Sequence, residues 1–337
     1  MRSIGIDLHS NSLTACYLNT AGKEKIETWS LGDLPKFAHG LRQSDQVAVE
    51  ATGNTRWLVG QLKPRVNRVV IVNPNQFEVI RRSVKKTDRH DARALAQFLR
   101  ADLLPEARLK QELAAQINSL AETRDKLVKL RTTLVNKLHA LHRSRGLSSR
   151  KSEFLSEPGL RRVLERSWEL TAQVEVEVIV AQLRSLREGI KRLDGQLAES
   201  GAQLKGHAGL VSIKGIGPKA AAILLSIIGE VTDLASEEKL ASYFGIVPRV
   251  ANSNETVQHG RITKRGSKLG RTTLVQCTLV AIKYSDYLRQ YYEKLKAKKG
   301  AGKAIIATAR KFLGIIYRTL KYNWVFADFP NFVLAED

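Results

Sequence analysis

The segment SIGIDLHSNSLTACYLNTAGKEKIETWSL, residues 3–31, predicts three β-strands connected by short turns. Residues 3–7, 13–18 and 26–31 combine apolar and β-branched side chains in a way that is typical of strands. The sequence NTAGK at residues 19–23 contains asparagine and glycine, which favour a tight turn. Because strands that follow each other through short turns pair in antiparallel fashion, this segment predicts an antiparallel sheet of three strands.

After this sheet the sequence predicts alternating helices and strands. The apolar spacing predicts helices at residues 34–42, 55–62 and 86–100, and short apolar runs predict strands at residues 47–49 and 68–72. Thr87 or Asp88 would cap the last of these helices. Three antiparallel strands followed by alternating helices and strands are typical of an α/β sheet of the ribonuclease-H kind. We assign this sheet to a first domain at residues 1–105.

The middle third of the chain, residues 106–205, has the apolar spacing of a coiled coil. In residues 113–141 seven of nine positions at 4-3 spacing are apolar, and residues 176–197 keep this spacing without interruption. Two long helices with such a seam either fold back on each other or pair between subunits. We therefore expect this helical domain to support self-association or to act as a rigid spacer, and we assign it no chemistry.

The last domain, residues 206–337, begins with two predicted helices joined by a glycine-containing turn. In a helix-hairpin-helix motif, a Gly-x-Gly turn presents backbone N–H groups to a phosphate beside the N-terminus of the second helix. The residues of this turn that we expect to contact a phosphate are Lys214, Gly215, Gly217 and Lys219. Beyond it the sequence predicts two further helices and, between them, a polar connection without a strand pattern, at residues 237–244, 269–284 and 248–265.

Basic residues outnumber acidic ones and concentrate near the end of the chain. The 337 residues include 55 Lys and Arg against 33 Asp and Glu, a formal net charge of +22. Residues 261–321 contain 16 of the basic residues and only two of the acidic ones. Such an excess favours a polyanion, above all nucleic acid, as the partner. The residues of this segment that we expect to contact nucleic acid are Arg261, Lys264, Arg265, Lys268 and Arg271.

The composition also excludes several classes of protein. Hydrophobic residues make up 43% of the chain and charged residues 26%, which are globular proportions rather than those of a disordered protein. No apolar run approaches 18 residues and no secretory signal is visible, so the sequence predicts no membrane span. Cys16 and Cys277 form neither a disulfide framework nor a zinc motif. These features predict a cytoplasmic, nucleoid-associated protein.

Four carboxylates stand at positions that the predicted fold would bring together. Asp7 ends the first strand and Glu50 ends the fourth. Asp88 and Asp91 are three residues apart on the last helix of the first domain and share a face. Taken singly, each acid could equally be a cap or an ion-pair partner. As a set they predict a site for two Mg²⁺ ions that supports phosphoryl transfer, with His90 beside it or on the surface.

Motifs from both ends of the chain resemble those of one protein family. Residues 5–9 (GIDLH), 49–53 (VEATG) and 86–93 (KTDRHDAR) resemble the N-terminal motifs of the DEDD insertion-sequence transposases. This family comprises bridge-RNA-guided recombinases related to the Piv-type DNA invertases. Its C-terminal transposase domain is similar to three further segments in the same order, at residues 213–217 (IKGIG), 243–248 (YFGIVP) and 260–266 (GRITKRG).

The resemblance implies a RuvC-like nuclease domain whose metal-binding tetrad is Asp7, Glu50, Asp88 and Asp91. It also implies a catalytic serine shortly after the Gly-x-x-Pro turn, which corresponds to Ser253 and would form a covalent phosphoserine link to DNA. A structured RNA that pairs with donor and target DNA, and a dimeric or tetrameric assembly, are implied as partners. Because the tetrad and the serine lie far apart in sequence, we expect the active site to form between two domains, of one subunit or of two.

The sequence departs from the family pattern beside the serine, which leaves alternatives open. The family commonly has Ser-Gly at this point, whereas Ser253 precedes Asn254, and Gly266-Ser267 offers Ser267 as a competing nucleophile. A Holliday-junction resolvase that cleaves with metal-activated water would use the same tetrad. A protein-only invertase, or a non-catalytic nucleic-acid-binding assembly protein, would also fit the basic C-terminal domain.

Overall fold

A computed structural model describes residues 1–74, 76–77, 87–253 and 256–324, with the backbone alone at residues 250–253 and 256–259. Contacts within the chain divide it into two compact units, Met1–Leu109 and Lys110–Asp337. None of the described helices is long and apolar enough to cross a bilayer.

The first unit contains a mixed five-stranded sheet, as the sequence predicts. Its strands are β1 (Arg2–Leu8), β2 (Ser12–Asn19), β3 (Glu24–Ser30), β4 (Gln46–Glu50) and β5 (Arg68–Val72). The order across the sheet is β3-β2-β1-β4-β5. The pairs β1–β2 and β2–β3 are antiparallel, whereas β1–β4 and β4–β5 are parallel. This arrangement confirms the mixed α/β prediction and agrees with a ribonuclease-H-like domain.

Helices cover both faces of this sheet. They are α1 (Leu34–His39), α2 (Thr55–Leu62) and α3 (Asp88–Arg100). Successive residues of a strand point to opposite faces, so Ile4 and Ile6 of β1 lie in a core with α1 and α2, whereas Gly5 faces α3. The sheet is therefore the middle layer of three.

Gly5 allows α3 to lie directly on β1. A Cβ atom at this position would lie 2.1 Å from the carbonyl oxygen of Ala92 and 2.4 Å from the backbone nitrogen of Ala96. Both alanines are fully buried. Only a glycine in the strand and small residues in the helix permit such a close backbone approach, and this approach determines where α3 begins relative to the end of β1.

Two long helices of the second unit form an antiparallel hairpin, which we call the long hairpin. They are α4 (Glu112–Arg143) and α6 (Leu170–Gly201). Ion pairs connect them along their length: Arg124 to Asp194 at 2.6 Å, Lys137 to Glu175 at 2.7 Å and Arg145 to Glu169 at 3.0 Å. Of the two arrangements that the 4-3 spacing allowed, the seam is therefore closed within one chain.

The connection between these two helices is more ordered than the sequence suggested. Residues 146–159 are rich in serine and contain Pro158, which predicts a loop. The structure instead has a short helical turn, Glu153–Leu155, followed by α5 (Glu157–Leu164). Phe154 and Leu160 are buried against Leu138 and Val180 of the long hairpin. Leu160, Val163 and Leu164 have helical spacing, but the helix has only eight residues and its first turn contains Pro158 and Gly159, which are typical of a loop.

The remaining helices pack together with one end of the long hairpin, where α4 begins and α6 ends. They form the largest hydrophobic core among the described residues. They are α7 (His207–Ser212), α8 (Pro218–Ile228), α9 (Glu237–Phe244), α10 (Lys268–Tyr284), α11 (Asp286–Lys299) and α12 (Ala301–Tyr322). The polar connection expected at residues 248–265 is instead largely a β-hairpin, β6 (Pro248–Ser253) and β7 (Thr256–Ile262). A two-stranded ribbon pairs its backbone without an alternating apolar pattern, and the sequence therefore gave no sign of it.

Candidate metal centre and catalytic residues

Two of the four predicted acids lie at the same edge of the sheet. β1 and β4 are parallel neighbours, and Ile6 is in register with Val49. The next residue of each strand is Asp7 and Glu50, respectively. Parallel strands end at the same edge of a sheet. Asp7 and Glu50 each follow a residue of the in-register pair, so they lie at adjacent positions on neighbouring strands.

The other two acids lie in the first turn of α3. The side chain of Thr87 caps this helix by accepting a hydrogen bond from the backbone N–H of His90 at 3.3 Å. Asp88 and Asp91 follow within the first turn, where the helix dipole favours negative charge. The cap and the Gly5 contact thus fix the two aspartates relative to the end of β1.

Asp7 and Asp88 converge on one point, together with a residue to which the sequence analysis gave no role. The Nε2 atom of His9 lies 3.2 Å from Oδ2 of Asp7 and 3.3 Å from Oδ1 of Asp88. The ligand atoms of these three residues all lie within 4.8 Å of one another. The sequence signals for His9 are its place in the motif at residues 5–9 and its position two residues after Asp7, since side chains at that spacing share a face of a strand.

The electrostatics of Asp7 reflect this convergence. Its side chain is only 14% exposed. Burial is the main cause that raises the pKa of the Asp7 carboxyl, and the negative charges of Asp88 and Asp91 raise it further, whereas His9 lowers it. Grouped carboxylates in a partly buried position favour a cation that neutralises them.

Glu50 and Asp91 lie outside the three-residue cluster in the described structure. Glu50 is half-buried at the end of β4, and its carbonyl accepts a hydrogen bond from the Thr55 hydroxyl at 2.7 Å. One carboxylate oxygen of Asp91, Oδ1, is buried, and the residue is close enough to Asp7 to affect its pKa. The structure thus brings Asp7 and Asp88 together and leaves the other two acids nearby.

The donor set suits a hard divalent cation. Mg²⁺ prefers carboxylate oxygens and is usually held by one or two carboxylates and several waters. Asp7 and Asp88 supply such oxygens, and Glu50 and Asp91 would extend the set. The imidazole of His9 is a softer donor, and its contacts with both aspartates suit a residue that holds the carboxylates in place. The residues present therefore fit the implied metal.

The candidate nucleophile Ser253 lies at the end of β6, beside the hairpin tip. Its backbone is in register with that of Thr256 on β7. The competing residue Ser267 has a structural role, because its hydroxyl caps α10 by accepting a hydrogen bond from the backbone N–H of Gly270 at 3.1 Å. A hydroxyl that caps a helix is less suited to act as a nucleophile.

Two glycines anchor the base of this β-hairpin. Gly245 ends α9 with a left-handed φ of 67°, and a Cβ atom there would lie 2.6 Å from the Arg265 carbonyl oxygen. A Cβ atom on Gly266 would lie 2.2 Å from the carbonyl oxygen of Tyr243. The motifs at residues 243–248 and 260–266 are therefore the two sides of one closely packed turn.

Several predicted nucleic-acid contacts also have structural partners. Gly215 has a φ of 109°, and a Cβ atom there would lie 2.8 Å from the backbone nitrogen of Ala281. Lys219 pairs with Asp194 at 3.1 Å. Arg271 donates hydrogen bonds to the carbonyl oxygens of Phe244 and Gly266, both at 3.0 Å. The other residues that the sequence analysis expects to contact nucleic acid are exposed: Lys214, Gly217, Arg261, Lys264, Arg265 and Lys268.

Two family models of transposases match this chain, one in each half of the sequence. A family model described as "Transposase", of the DEDD type, matches residues 4–144, and one described as "Transposase IS116/IS110/IS902 family" matches residues 207–293. The chain is similar to a protein from Pseudomonas aeruginosa named "Probable family 20 transposase", with 24% identity over 81% of this chain and 83% of the relative.

Two further relatives differ in the activity that their names state. A transposase for insertion sequence element IS1111A from Coxiella burnetii is 26% identical over 70% of this chain and 66% of the relative. The pilin gene-inverting protein of Moraxella bovis is 25% identical over 95% of this chain and 96% of the relative. The similarity to the inverting protein spans both units.

Proposed function

Because the chain belongs to the DEDD insertion-sequence transposase family, we propose that it cuts and rejoins DNA strands when an insertion sequence moves. In this proposal Asp7, Glu50, Asp88 and Asp91 hold Mg²⁺, and Ser253 is the nucleophile. The observation that carries the proposal is the convergence of Asp7 and Asp88 at the end of β1. Because like charges repel, two acids with only a structural role would not need to be gathered at one point, with the Asp7 side chain only 14% exposed.

The acids act by binding and orientation. When bound, Mg²⁺ supplies charge neutralisation and polarises a phosphoryl oxygen. Asp7 and Asp88 fix the position of that charge because both are attached to rigid elements, a strand end and a capped helix. His9 restrains both carboxylates through Nε2, so that the two oxygens face the same point.

The Ser253 hydroxyl would form a covalent link to DNA. Its oxygen forms an ester bond to phosphorus while the bond from phosphorus to a deoxyribose oxygen breaks, and the hydroxyl proton leaves to the departing alkoxide or to solvent. A serine hydroxyl is a weak nucleophile without activation. Its place beside a hairpin tip, and the use of Ser267 as a helix cap, support Ser253 over its competitor.

The proposal includes an RNA partner and self-association, both from the family resemblance. A structured RNA that pairs with donor and target DNA would leave the protein to hold nucleic-acid backbones rather than to read bases. The basic excess of residues 261–321 supports such a role. RNA that co-purifies with the protein and resists removal until ribonuclease is added would support guidance, whereas recombination with purified RNA-free protein would favour a protein-only invertase.

The metal assignment is tested with Asp7→Asn and Asp88→Asn, and then with Glu50→Gln and Asp91→Asn. Each change removes one anionic ligand, and we expect strand cleavage to be lost while the thermal melting curve stays near that of the wild type. Asp286→Asn, on an exposed helix of the second unit, is the matched control and should cleave normally. Wild-type cleavage by both Asp7→Asn and Asp88→Asn would contradict the assignment, whereas nucleic-acid binding without any cleavage by the wild type itself would favour a non-catalytic binding protein.

The nucleophile is tested on a denaturing gel with labelled DNA and three proteins. We expect the wild type and Ser267→Ala to form a covalent protein–DNA species and Ser253→Ala to form none. An adduct that persists in Ser253→Ala and disappears in Ser267→Ala would transfer the role to Ser267. Normal cleavage without an adduct in all three proteins would favour attack by water, as in a Holliday-junction resolvase.

A further inference from the structure

A cavity in the second unit combines aromatic rings with an excess of positive charge. It has a volume of about 410 Å³ and lies between α9, α11 and α12. Tyr287 and Tyr291 stand one turn apart on α11, so both rings line the same wall. Trp324, which follows α12, lines another part of the cavity and is 41% exposed. The cavity has the size of a pocket for a small ligand or for one unit of a polymer.

Three cations surround these rings. The Nζ atom of Lys311 lies 4.9 Å from the ring centroid of Tyr287 and 4.6 Å from that of Tyr291. Arg318 lies over the Trp324 ring, with Cζ at 5.7 Å from its centroid. Arg310 is exposed at the cavity and makes no hydrogen bond or ion pair among the described residues.

The acidic residues of the cavity do not cancel this charge. Glu237 is paired with Arg318 at 3.1 Å, and its side chain fits there because Gly314 of α12 has no Cβ atom, which would lie 2.7 Å from the Glu237 carboxylate. Glu238 is the second acid of the lining. The positive charges of Arg310 and Arg318 act on Glu238. Because the lining has three cations, Arg310, Lys311 and Arg318, against these two carboxylates, the cavity keeps a net positive charge.

The ligand must therefore be anionic and must also present a flat face. An acidic peptide satisfies the cations but leaves the aromatic rings without a matching surface. Duplex nucleic acid presents its phosphates outward and keeps its bases stacked inside, where a concave pocket does not reach them. An unpaired nucleotide offers both groups, because its phosphate attracts cations and its base stacks on aromatic rings.

We propose that this cavity binds an unpaired nucleotide of a single-stranded nucleic acid, with the phosphate at Arg310 and Lys311 and the base against Tyr287, Tyr291 or Trp324. A phosphate held by Lys311 places its base within reach of both tyrosines, because the ammonium group lies over the two rings. The proposal rests on the proposed function for the class of ligand, but it concerns binding and needs neither the metal centre nor Ser253.

The test measures the affinity of labelled 12-nucleotide strands by fluorescence anisotropy in EDTA, which separates binding from cleavage. The probes are single-stranded DNA, single-stranded RNA of the same sequence and the corresponding DNA duplex. The variants are the double substitution Tyr287→Leu and Tyr291→Leu, and separately Arg310→Gln. The controls on α11 are Tyr292→Leu, whose ring lies beside Lys296 outside the cavity lining, and Arg289→Gln.

We expect the tyrosine double variant to bind single strands about fivefold or more weakly, since a stacked base contributes about 1–3 kcal/mol. Its affinity for the duplex should stay within about twofold of the wild type, and both control variants should bind like the wild type. Arg310→Gln should lower the affinity for single strands more than Arg289→Gln does. A larger loss for DNA than for RNA, or the reverse, identifies the strand that occupies the cavity.

Two results would overturn this proposal. One is an unchanged affinity for single strands in both cavity variants. The other is an equal loss for single strands and duplex, which would indicate a general electrostatic or folding effect. If the double leucine variant does not fold, Arg310→Gln still decides, because it replaces an exposed side chain. Failure of the metal centre or of Ser253 in cleavage assays leaves these binding results unaffected.

Discussion

His9 bridges the two aspartates of the candidate metal centre, and its loss should affect metal binding before it affects the fold. Residues that orient metal ligands typically change metal affinity by about 10- to 100-fold when they are substituted. We expect His9→Ala to need a correspondingly higher Mg²⁺ concentration than the wild type for half-maximal cleavage. His9→Gln keeps a hydrogen-bond donor, and we expect its increase in this concentration to be smaller than that of His9→Ala. Equal Mg²⁺ dependence in wild type and His9→Ala would show that the imidazole does not position these ligands.

Ser267 should contribute to stability rather than to chemistry. Its hydroxyl caps α10, and replacing a capping serine by alanine costs about 1 kcal/mol. We expect Ser267→Ala to lower the free energy of unfolding of the second unit by about this amount, measured by urea denaturation. Ser253→Ala serves as the comparison and should unfold like the wild type. The reverse order of the two stabilities would argue against the capping role.

His142 gives the second unit a pH-dependent stability. The residue is 1% exposed, lies against Phe154 and Trp168, and its two ring nitrogens have no hydrogen-bond partner within the described structure. Burial, chiefly, lowers the pKa of His142 below its usual 6.5, with Arg166 and His139 acting in the same direction and Glu153 opposing them.

The sign of this dependence follows from proton uptake on unfolding. In the unfolded chain the imidazole takes up a proton at a higher pH than in the folded chain, so stability falls as the pH drops below about 6.5. We expect the midpoint of thermal unfolding to decrease over this window in the wild type and to decrease less in His142→Phe. A steeper dependence in the variant would contradict this origin.

At the level of single residues, the sequence predicted the candidate ligands but not the residues that contact them. Asp7 was singled out because it lies at the end of an apolar strand and within the motif at residues 5–9. His9 was not, because a histidine two residues further on has no meaning until α3 places Asp88 beside it. Likewise nothing near Lys219 indicates that Asp194, 25 residues earlier, pairs with it. Contacts over such separations depend on the whole fold.

The packing of α3 on β1 is the element-level feature that positions Asp88 at the candidate metal centre. In Gly5→Ala the new methyl group would overlap backbone atoms of α3, and such overpacking costs about 1–3 kcal/mol. We expect a lower free energy of unfolding of the first unit and weaker cleavage, because Asp88 moves with the helix. Gly60→Ala on α2 is the control, since no atom lies within 4 Å of the added group.

The control Gly60→Ala should change the free energy of unfolding in the opposite direction from Gly5→Ala. Alanine is favoured over glycine inside a helix by about 0.5–1 kcal/mol, so Gly60→Ala should unfold at a higher denaturant concentration than the wild type. If Gly5→Ala and Gly60→Ala both left stability and cleavage unchanged, the close contact between α3 and β1 would not determine the position of Asp88.

Elements with a strong local pattern were predictable, and elements that depend on distant partners were not. The strands of the first unit and the two long helices follow from apolar periodicity. The same periodicity left open whether the apolar seam of the long helices closes within one chain or between two. The hairpin of β6 and β7 was missed because its partner strands are polar. The short helix α5 was missed because it is only eight residues long and because Pro158 and the serines before it favoured a loop.

For the whole molecule, the concentration of basic residues predicts a strong salt dependence of nucleic-acid binding. Each phosphate contact on duplex DNA contributes about −0.9 to the slope of log affinity against log salt. Replacing Lys264, Arg265 and Lys268 together by glutamine should make this slope shallower by up to about three contacts and weaken all sequences alike.

A charge-matched control separates local contacts from net charge. Replacing Lys126, Lys191 and Arg192 by glutamine removes the same charge from exposed positions on the long hairpin. We expect this variant to keep the slope of the wild type. An unchanged slope in the first variant, with a shallower slope in the control, would move the main binding surface from residues 264–268 to the long hairpin.

The closure of the long hairpin within one chain also constrains how this protein can evolve. A single inserted residue in either arm would rotate every later side chain by about 100° and turn the seam away from its partner. Removing seven residues from one arm keeps the facing side chains but leaves the other arm without a match. Lineages should therefore gain or lose this region in paired steps of about seven residues, each worth about 10 Å of length, while the connection at its far end varies freely.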